Sequence, residues 1–154
     1  MNKITRWPIP DGLPKRMIIG GERGEAIRGA RFATLDPATG QAFAEVPAGG
    51  PEDVDRAVAC AKKALEGPWS KTTPAERGRI LTRTAALIRR DKDRLARIET
   101  LDCGKPLRES LGYIETAAAY FEYYAGIADK LQGDTIPLGP DYISFTLHEP
   151  VGVT

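Results

Sequence analysis

Glu99-Thr100-Leu101-Asp102-Cys103-Gly104-Lys105-Pro106 is the stretch on which the fold turns. Glycine supplies the left-handed conformation that closes a helix, and proline suits the first turn of the next one. One helix therefore ends at Gly104 and another opens at Pro106. Upstream, Leu95, Ile98 and Leu101 give an apolar face to a helix that begins near Asp91. Downstream, Leu107, Leu111, Ile114, Ala118, Phe121, Ala125 and Ala128 recur at intervals of four and three residues. They predict a long helix reaching about Leu131. A second stripe of Tyr113, Tyr120 and Tyr124 lies about 120° round the same helix. A helix apolar on two sides is expected to be wedged between other elements.

Working back towards the N-terminus, Thr73-Pro74-Ala75-Glu76 has the spacing of a capping box. It opens a helix with Ile80, Leu81, Thr84, Leu87 and Ile88 on its inner face. Arg77 falls on that face and is expected to form a structural ion pair, because a buried guanidinium needs a carboxylate or several carbonyls. An earlier helix starts at Gly50-Pro51-Glu52-Asp53, where both acids favour the positive end of the dipole. Its stripe is Val54, Ala57, Val58, Ala61 and Leu65, and Gly67-Pro68 stops it. Before it come short strands at Met17–Ile19, Arg31–Leu35 and Gln41–Val46. The turn Asp36-Pro37-Ala38-Thr39-Gly40 makes the last two a β-hairpin. Residues 1–16 hold Pro8, Pro10, Gly12 and Pro14 and read as an irregular tail without a signal-peptide core.

Towards the C-terminus, Gly133 and Pro137-Leu138-Gly139-Pro140 break the helical pattern. From Asp141 the chain alternates strictly. Ile143, Phe145 and Leu147 point one way, and Tyr142, Ser144, Thr146 and His148 the other, which predicts a strand. Glu149-Pro150-Val151-Gly152-Val153 reads as extended backbone whose continuation is expected beyond Thr154.

The 154 residues are 42% hydrophobic and 28% charged, with a net charge of +1. This is a globular composition, and it calls for neither nucleic acid nor an anionic membrane. No apolar run reaches bilayer length, so a soluble, cytoplasmic protein is expected. Two distant cysteines make no disulfide framework, and a single histidine excludes a His-rich metal cluster in this stretch.

Little in the chain announces chemistry by itself. It holds neither a Gly-x-Gly-x-x-Gly fingerprint nor a Walker loop, and Gly104-Lys105-Pro106 lacks the other residues of a P-loop. Gly20-Gly21 reads as a strand-end turn. Cys103 sits at a helix C-terminus, where the dipole opposes a thiolate, so it is expected to be a small, semi-buried side chain. Cys60 lies off the apolar stripe of its helix. His148 beside Glu149 could shuttle a proton, but a surface or interface role fits better. Arg79, Arg83 and Arg90 form a basic ridge that reads as a solvated face. Asp102, at a helix C-terminus, needs a positive partner: Lys105 or a bound cation. Spacing alone favours the lysine.

Taken together, these stretches resemble the NAD(P)-dependent aldehyde dehydrogenases. Phe32-Ala33-Thr34-Leu35-Asp36-Pro37-Ala38-Thr39-Gly40 is similar to that family's Asn-Pro-Ala-Thr-Gly turn, with Asp36 where asparagine is usual. Asp53-Val54-Asp55-Arg56-Ala57-Val58 resembles its first helix. Glu99 to Pro106 resembles its Glu-Thr-Leu-Asp-x-Gly-Lys-Pro signature. Tyr123-Tyr124-Ala125-Gly126 and Glu149-Pro150-Val151-Gly152-Val153 also fit, in the same order.

The resemblance implies an α/β fold of the aldehyde dehydrogenase type. Residues 17–134 would be the hairpin and helical opening of a Rossmann-like coenzyme domain. Residues 135–154 would be the first strand of an oligomerisation arm, serving a homodimer or homotetramer. It implies an enzyme that oxidises an aldehyde to its acid with NAD or NADP. A cysteine thiolate attacks the aldehyde, hydride leaves to the nicotinamide, and a glutamate activates the water that frees the acid. Those residues, the asparagine of a Pro-Trp-Asn motif and the catalytic domain fall beyond Thr154. Cys103 occupies the variable position of its signature and is not the nucleophile, so this piece alone is expected to be inactive. Two carry-overs remain: a monovalent cation held through the Thr34/Leu35 position and Asp102, with a further ligand expected from beyond this stretch, and an aldehyde tunnel lined by Gly112 and Thr116. The alternative is a truncated paralogue acting as a non-enzymatic interaction module.

Overall fold

The computed structural model describes residues 8–13 and 15–154. Of the irregular tail expected over 1–16, residues 1–7 and 14 lie outside that description. The rest carries no helix or strand.

The chain opens with a hairpin, β1 (Met17–Ile19) and β2 (Glu22–Gly24), paired antiparallel. Its two-residue turn needs positive φ at both positions, and Gly20 (62°) and Gly21 (84°) supply it. The sequence pattern predicted the turn but not β2, because Glu22-Arg23-Gly24 has no apolar alternation to show. The expected second hairpin is formed by β3 (Arg31–Asp36) and β4 (Gln41–Pro47). Asp36, buried, makes its turn: the carboxylate accepts from Ala38 N (2.9 Å) and Thr39 Oγ1 (3.0 Å). A bulge follows, with Thr34 opposite Ala44 but Leu35 opposite Ala42, and the intervening Phe43 is buried.

Helix α1 (Pro51–Glu66) starts at Gly50, and a short 3-10 turn, Pro68–Lys71, follows it. Buried Asp53 accepts from Gly50 N (3.1 Å) and Ile27 N (3.3 Å), fastening the helix start to the loop after β2. Its predicted apolar stripe is not buried: Val54, Ala61 and Leu65 are exposed. The face that turns inward is that of Ala57 and Cys60, against the Gly20 turn of the first hairpin.

Helices α2 (Pro74–Arg90), α3 (Lys92–Cys103) and α4 (Leu107–Ile127) make the main body. The capping box at the start of α2 forms as predicted: Thr73 Oγ1 accepts from Glu76 N (3.3 Å), and Glu76 Oε2 accepts from Thr73 N (2.7 Å). The Thr73 amide, and after it the Thr73 hydroxyl, hold the Glu76 carboxyl below its usual range. Helices α2 and α4 run antiparallel. Gly78, early in α2, faces Ala125 and Ala128 at the end of α4, while Arg89, late in α2, reaches Glu115 and Glu122. A Cβ on Gly78 would stand 2.9 Å from the Ala125 carbonyl, so the backbones meet where only glycine fits. Ala85, Ala96 and Ala118 are wholly buried, which marks close packing through small side chains.

The α4 seam from Leu107 to Ala128 faces inward as predicted. Ile80 and Leu87 do not: both are exposed, because close approach at Gly78 and Ala85 turns their side of α2 outward. Arg77 is half-buried on the inner side, but it donates to the Thr72 carbonyl (2.7 Å) instead of forming the expected ion pair. The α4 helix stops short of Leu131. The Lys130 amide bonds to the Ile127 carbonyl (2.9 Å), tightening the chain into a turn.

Beyond α4, the strand predicted from Asp141 to His148 contracts to β6 (Ser144–Phe145), paired with β5 (Thr135–Ile136). Alternation fixes which way side chains point, but a ladder also needs a partner, and only a short one is present. The hairpin is prolonged by Thr146 N to Asp134 O (2.9 Å), Asp134 N to Thr146 Oγ1 (2.8 Å) and His148 Nε2 on the Gln132 carbonyl (3.1 Å). Its apolar side chains Ile143, Leu147 and Val151 are exposed. The described sheets are antiparallel pairs, as expected of a hairpin and helical opening to a larger α/β domain.

Candidate functional site

Gly104 ends α3 in the left-handed conformation (φ 72°), with its amide on the Thr100 carbonyl at 3.0 Å. A Cβ there would also press on Pro37 at 3.1 Å. Glycine is thus required twice, by the helix end and by the seating of the β3–β4 turn on it. That seating brings Asp102 beside β3, and Thr34 Oγ1 donates to Asp102 Oδ1 at 2.7 Å. The two residues are 68 positions apart in the chain.

Lys105 does not serve Asp102, contrary to what spacing favours. It donates to Glu99 Oε1 at 2.5 Å and lies 4.1 Å above the centre of the Tyr113 ring. Glu99 pushes the lysine pKa up. The Gly104 bend turns Lys105 back along α3, towards Glu99, and away from Asp102. Asp102 therefore sits at the negative end of α3 with a hydroxyl as its partner. Its oxygens, the Thr34 hydroxyl and nearby carbonyls are the donor types that hard cations take. Among the described residues no cluster of three or more His, Cys, Asp or Glu could hold a metal. A cation here would therefore need backbone oxygens as well. Leu35 is exposed beside Thr34 and could offer only its carbonyl.

On α4, Gly112 and Thr116 lie one turn apart and both are exposed. Thr116 Oγ1 donates to the Gly112 carbonyl at 3.0 Å, and open space surrounds the position a Gly112 Cβ would take. Tyr113, Tyr120, Tyr123 and Tyr124 are exposed on the same side of the helix. The last two make an edge-to-face pair with centroids 5.3 Å apart. Such a face, aromatic with a few hydroxyls, suits the wall of an apolar passage.

Cys103 is exposed rather than semi-buried, and its Sγ donates to the Glu99 carbonyl at 2.9 Å with no base beside it. Cys60 is half-buried against the first hairpin. His148 is exposed and engaged with backbone. Among the described residues, no hydrogen bond joins any of these three to an acidic or basic side chain.

Sequence reasoning missed one polar network. Arg89 donates from Nε to Glu115 (2.7 Å) and grips Glu122 with the rest of its fork, while Lys92 reaches Glu115 at 3.2 Å. Arg89 holds both carboxyls below their usual range, with Lys92 adding to the effect on Glu115. The signal was present as glutamates two turns apart on α4, facing the last turn of α2.

The chain's residues 25–154 match the model of the aldehyde dehydrogenase family. It is 43% identical over 153 residues to a mitochondrial aldehyde dehydrogenase of Equus caballus, covering 95% of this chain and 31% of that protein. It is 46% identical over 140 residues to aldehyde dehydrogenase family 2 member B4, mitochondrial, of Arabidopsis thaliana, covering 90% and 26% respectively. Among solved structures, the NAD+ complex of aldehyde dehydrogenase from Bacillus cereus superposes with a TM-score of 0.86 at 42% identity. That match covers 88% of this chain and 28% of the other. The chain thus spans under a third of the length of the relatives it matches.

Proposed function

This chain belongs to the aldehyde dehydrogenase family, and from that premise we propose that it is the N-terminal portion of an enzyme oxidising an aldehyde to its carboxylic acid with NAD(P). The observation that carries the reading is the unbroken match of residues 25–154 to the family, at 43% identity to the horse enzyme. A relative solved with NAD+ supports nicotinamide dependence.

Within this proposal, residues 17–134 form the opening of the coenzyme domain and residues 135–154 begin an arm that joins subunits into a dimer or tetramer. The exposed apolar hairpin supports that division. Thr34, the Leu35 carbonyl and Asp102 hold a monovalent cation; the short Thr34–Asp102 bond and the turned-away Lys105 support it. A cation held there would offset the Asp102 charge at the end of α3. Gly112 and Thr116 line the passage by which aldehyde enters, a placement supported by the tyrosines on the same face. The nucleophile and general base are supplied by residues outside this stretch, which contributes scaffold and substrate path. No described helix is long and apolar enough to cross a membrane. We place the protein in the cytoplasm, a reducing compartment that suits its free Cys60 and Cys103.

The test is formation of reduced nicotinamide by the purified full-length protein given a panel of aldehydes with NAD or NADP. Aldehyde-dependent turnover is expected. No turnover with any aldehyde, by protein that is folded and binds the coenzyme, would count against the reading.

A further inference from the structure

A surface cavity of about 380 Å³ opens between the N-terminal segment, the β1–β2 hairpin and α3. Lys15, Arg16, Arg23 and Arg94 line it, with Leu13 and Ile18 as its apolar wall. No carboxylate lines it. Such a concentration of one sign is not inherited from the chain at large, which has 22 Lys+Arg against 21 Asp+Glu.

The neighbouring acids do little to neutralise these cations. Arg16 stands 3.7 Å from Glu25, and Arg94 stands 3.9 Å from Asp91, both at the outer limit of an ion pair. Each acid has a closer partner: Glu25 is held by Arg31, and Asp91 by Arg90 at 3.0 Å. Lys15 and Arg23 reach no carboxylate among the described residues. Arg94 Nη1 also donates to the Gly12 carbonyl at 3.4 Å, so the tail segment is tied to α3 beside the cavity.

Like charges gathered with only shared and distant counter-charge repel one another, and a multivalent anion relieves that repulsion. Guanidinium forks match pairs of phosphate oxygens, and a lysine adds a mobile point charge. A single phosphate offers too few oxygens to engage three guanidinium forks and a lysine together, whereas two linked phosphates offer enough for all four. We propose that this cavity binds a small molecule bearing a pyrophosphate group. The group is either free inorganic pyrophosphate or the diphosphate of a nucleotide, whose base would lie on Leu13 and Ile18.

Titration calorimetry on the full-length protein at low salt, with inorganic pyrophosphate and with ADP as probes, tests this. Saturable binding is expected, weakened about tenfold by Arg23→Ala, which removes charge-assisted hydrogen bonds. Arg23 has no carboxylate partner to lose, so folding is not at stake in that variant. Arg23→Lys should retain part of the affinity, because it keeps the charge and loses the fork. With the coenzyme site filled by saturating NAD, tighter binding of ADP that is lost in Arg23→Ala would identify a nucleotide as the ligand, and equal Arg23-dependent binding of the two probes would identify the phosphates alone; both support the site. Arg79→Ala with Arg83→Ala removes equal or greater charge from the exposed ridge of α2 and should leave affinity unchanged. The proposal is overturned by absence of binding at millimolar probe, by wild-type affinity in Arg23→Ala, or by an equal loss in the ridge variant.

Discussion

Where α2 meets α4, Ala85 and Ala118 are fully buried and Gly78 leaves no space for a methyl group; along the C-terminal hairpin, Ile143 is 91% and Val151 95% exposed. Both regions are apolar by sequence. The first finds its complement within the chain, and the second does not. The chain exposes 11872 Å², whereas a compact monomer of this length exposes about 7,600 Å². Exposed apolar side chains on the hairpin, on the tyrosine face of α4 and on the outer stripe of α1 contribute to the excess. In an enzyme of this family's length, such surfaces are where further domains and subunits would pack. The comparison thus separates residues that hold this part together from apolar residues that find no cover within it, which the proposed reading assigns to contacts with the rest of the enzyme.

The sharpest way to break the distinction is Gly78→Leu. The added side chain meets the Ala125 carbonyl and must part α2 from α4. A loss of about 3 kcal/mol is expected from such overpacking, read as a lowered urea midpoint of the full-length protein. Gly133→Val makes the opposite case. A Cβ there would sit 1.8 Å from the Thr146 carbonyl, so the C-terminal hairpin must open. Subunit association, followed by analytical ultracentrifugation, should weaken while hydrogen-exchange protection of α2 and α4 is kept. Equal loss of protection in the helices would mean that hairpin and body are one unit.

Thr73→Ala is a smaller change. It removes the hydroxyl that caps Glu76 N, and about 1 kcal/mol of stability should go with it, measured by thermal denaturation. Least in size is the pH dependence of the Arg89 network. Arg89 depresses the Glu115 and Glu122 carboxyls, so their contribution is complete above the usual carboxylate range. It is lost as pH falls through their lowered values, while Arg89 stays charged. Glu115→Gln with Glu122→Gln should flatten the acid limb of stability against pH, and added salt should do part of the same.

The division between the two regions also governs what the sequence made legible. The hinge at Glu99–Pro106, the capping box at Thr73, the turn at Asp36–Gly40 and the α4 seam all depend on neighbours a few residues away, and all are found in place. The failures are of two kinds. Where several partners lie within reach of one long side chain, spacing does not choose among them: Lys105 took Glu99, six residues back, over Asp102, and Arg77 took the Thr72 carbonyl over a carboxylate. The stripe of α1 and the strand after Asp141 were patterned for burial and pairing that these residues cannot supply to themselves. At the candidate site, Asp102 stood out because a carboxylate at a helix C-terminus requires an answer. Its approach to Thr34, set by Pro37 seating on Gly104, could not be read from spacing. Gly112 and Thr116 had no signal of their own and came from the family resemblance alone.

The central claim is that these residues give an aldehyde dehydrogenase its scaffold and substrate path and leave bond-making to other residues. Aldehyde-dependent reduction of NAD(P), followed side by side in the full-length protein and in the isolated 154-residue chain, tests it most directly. Turnover by the full-length protein and none by the isolated chain is predicted. Reduced nicotinamide formed by the isolated chain would contradict the account.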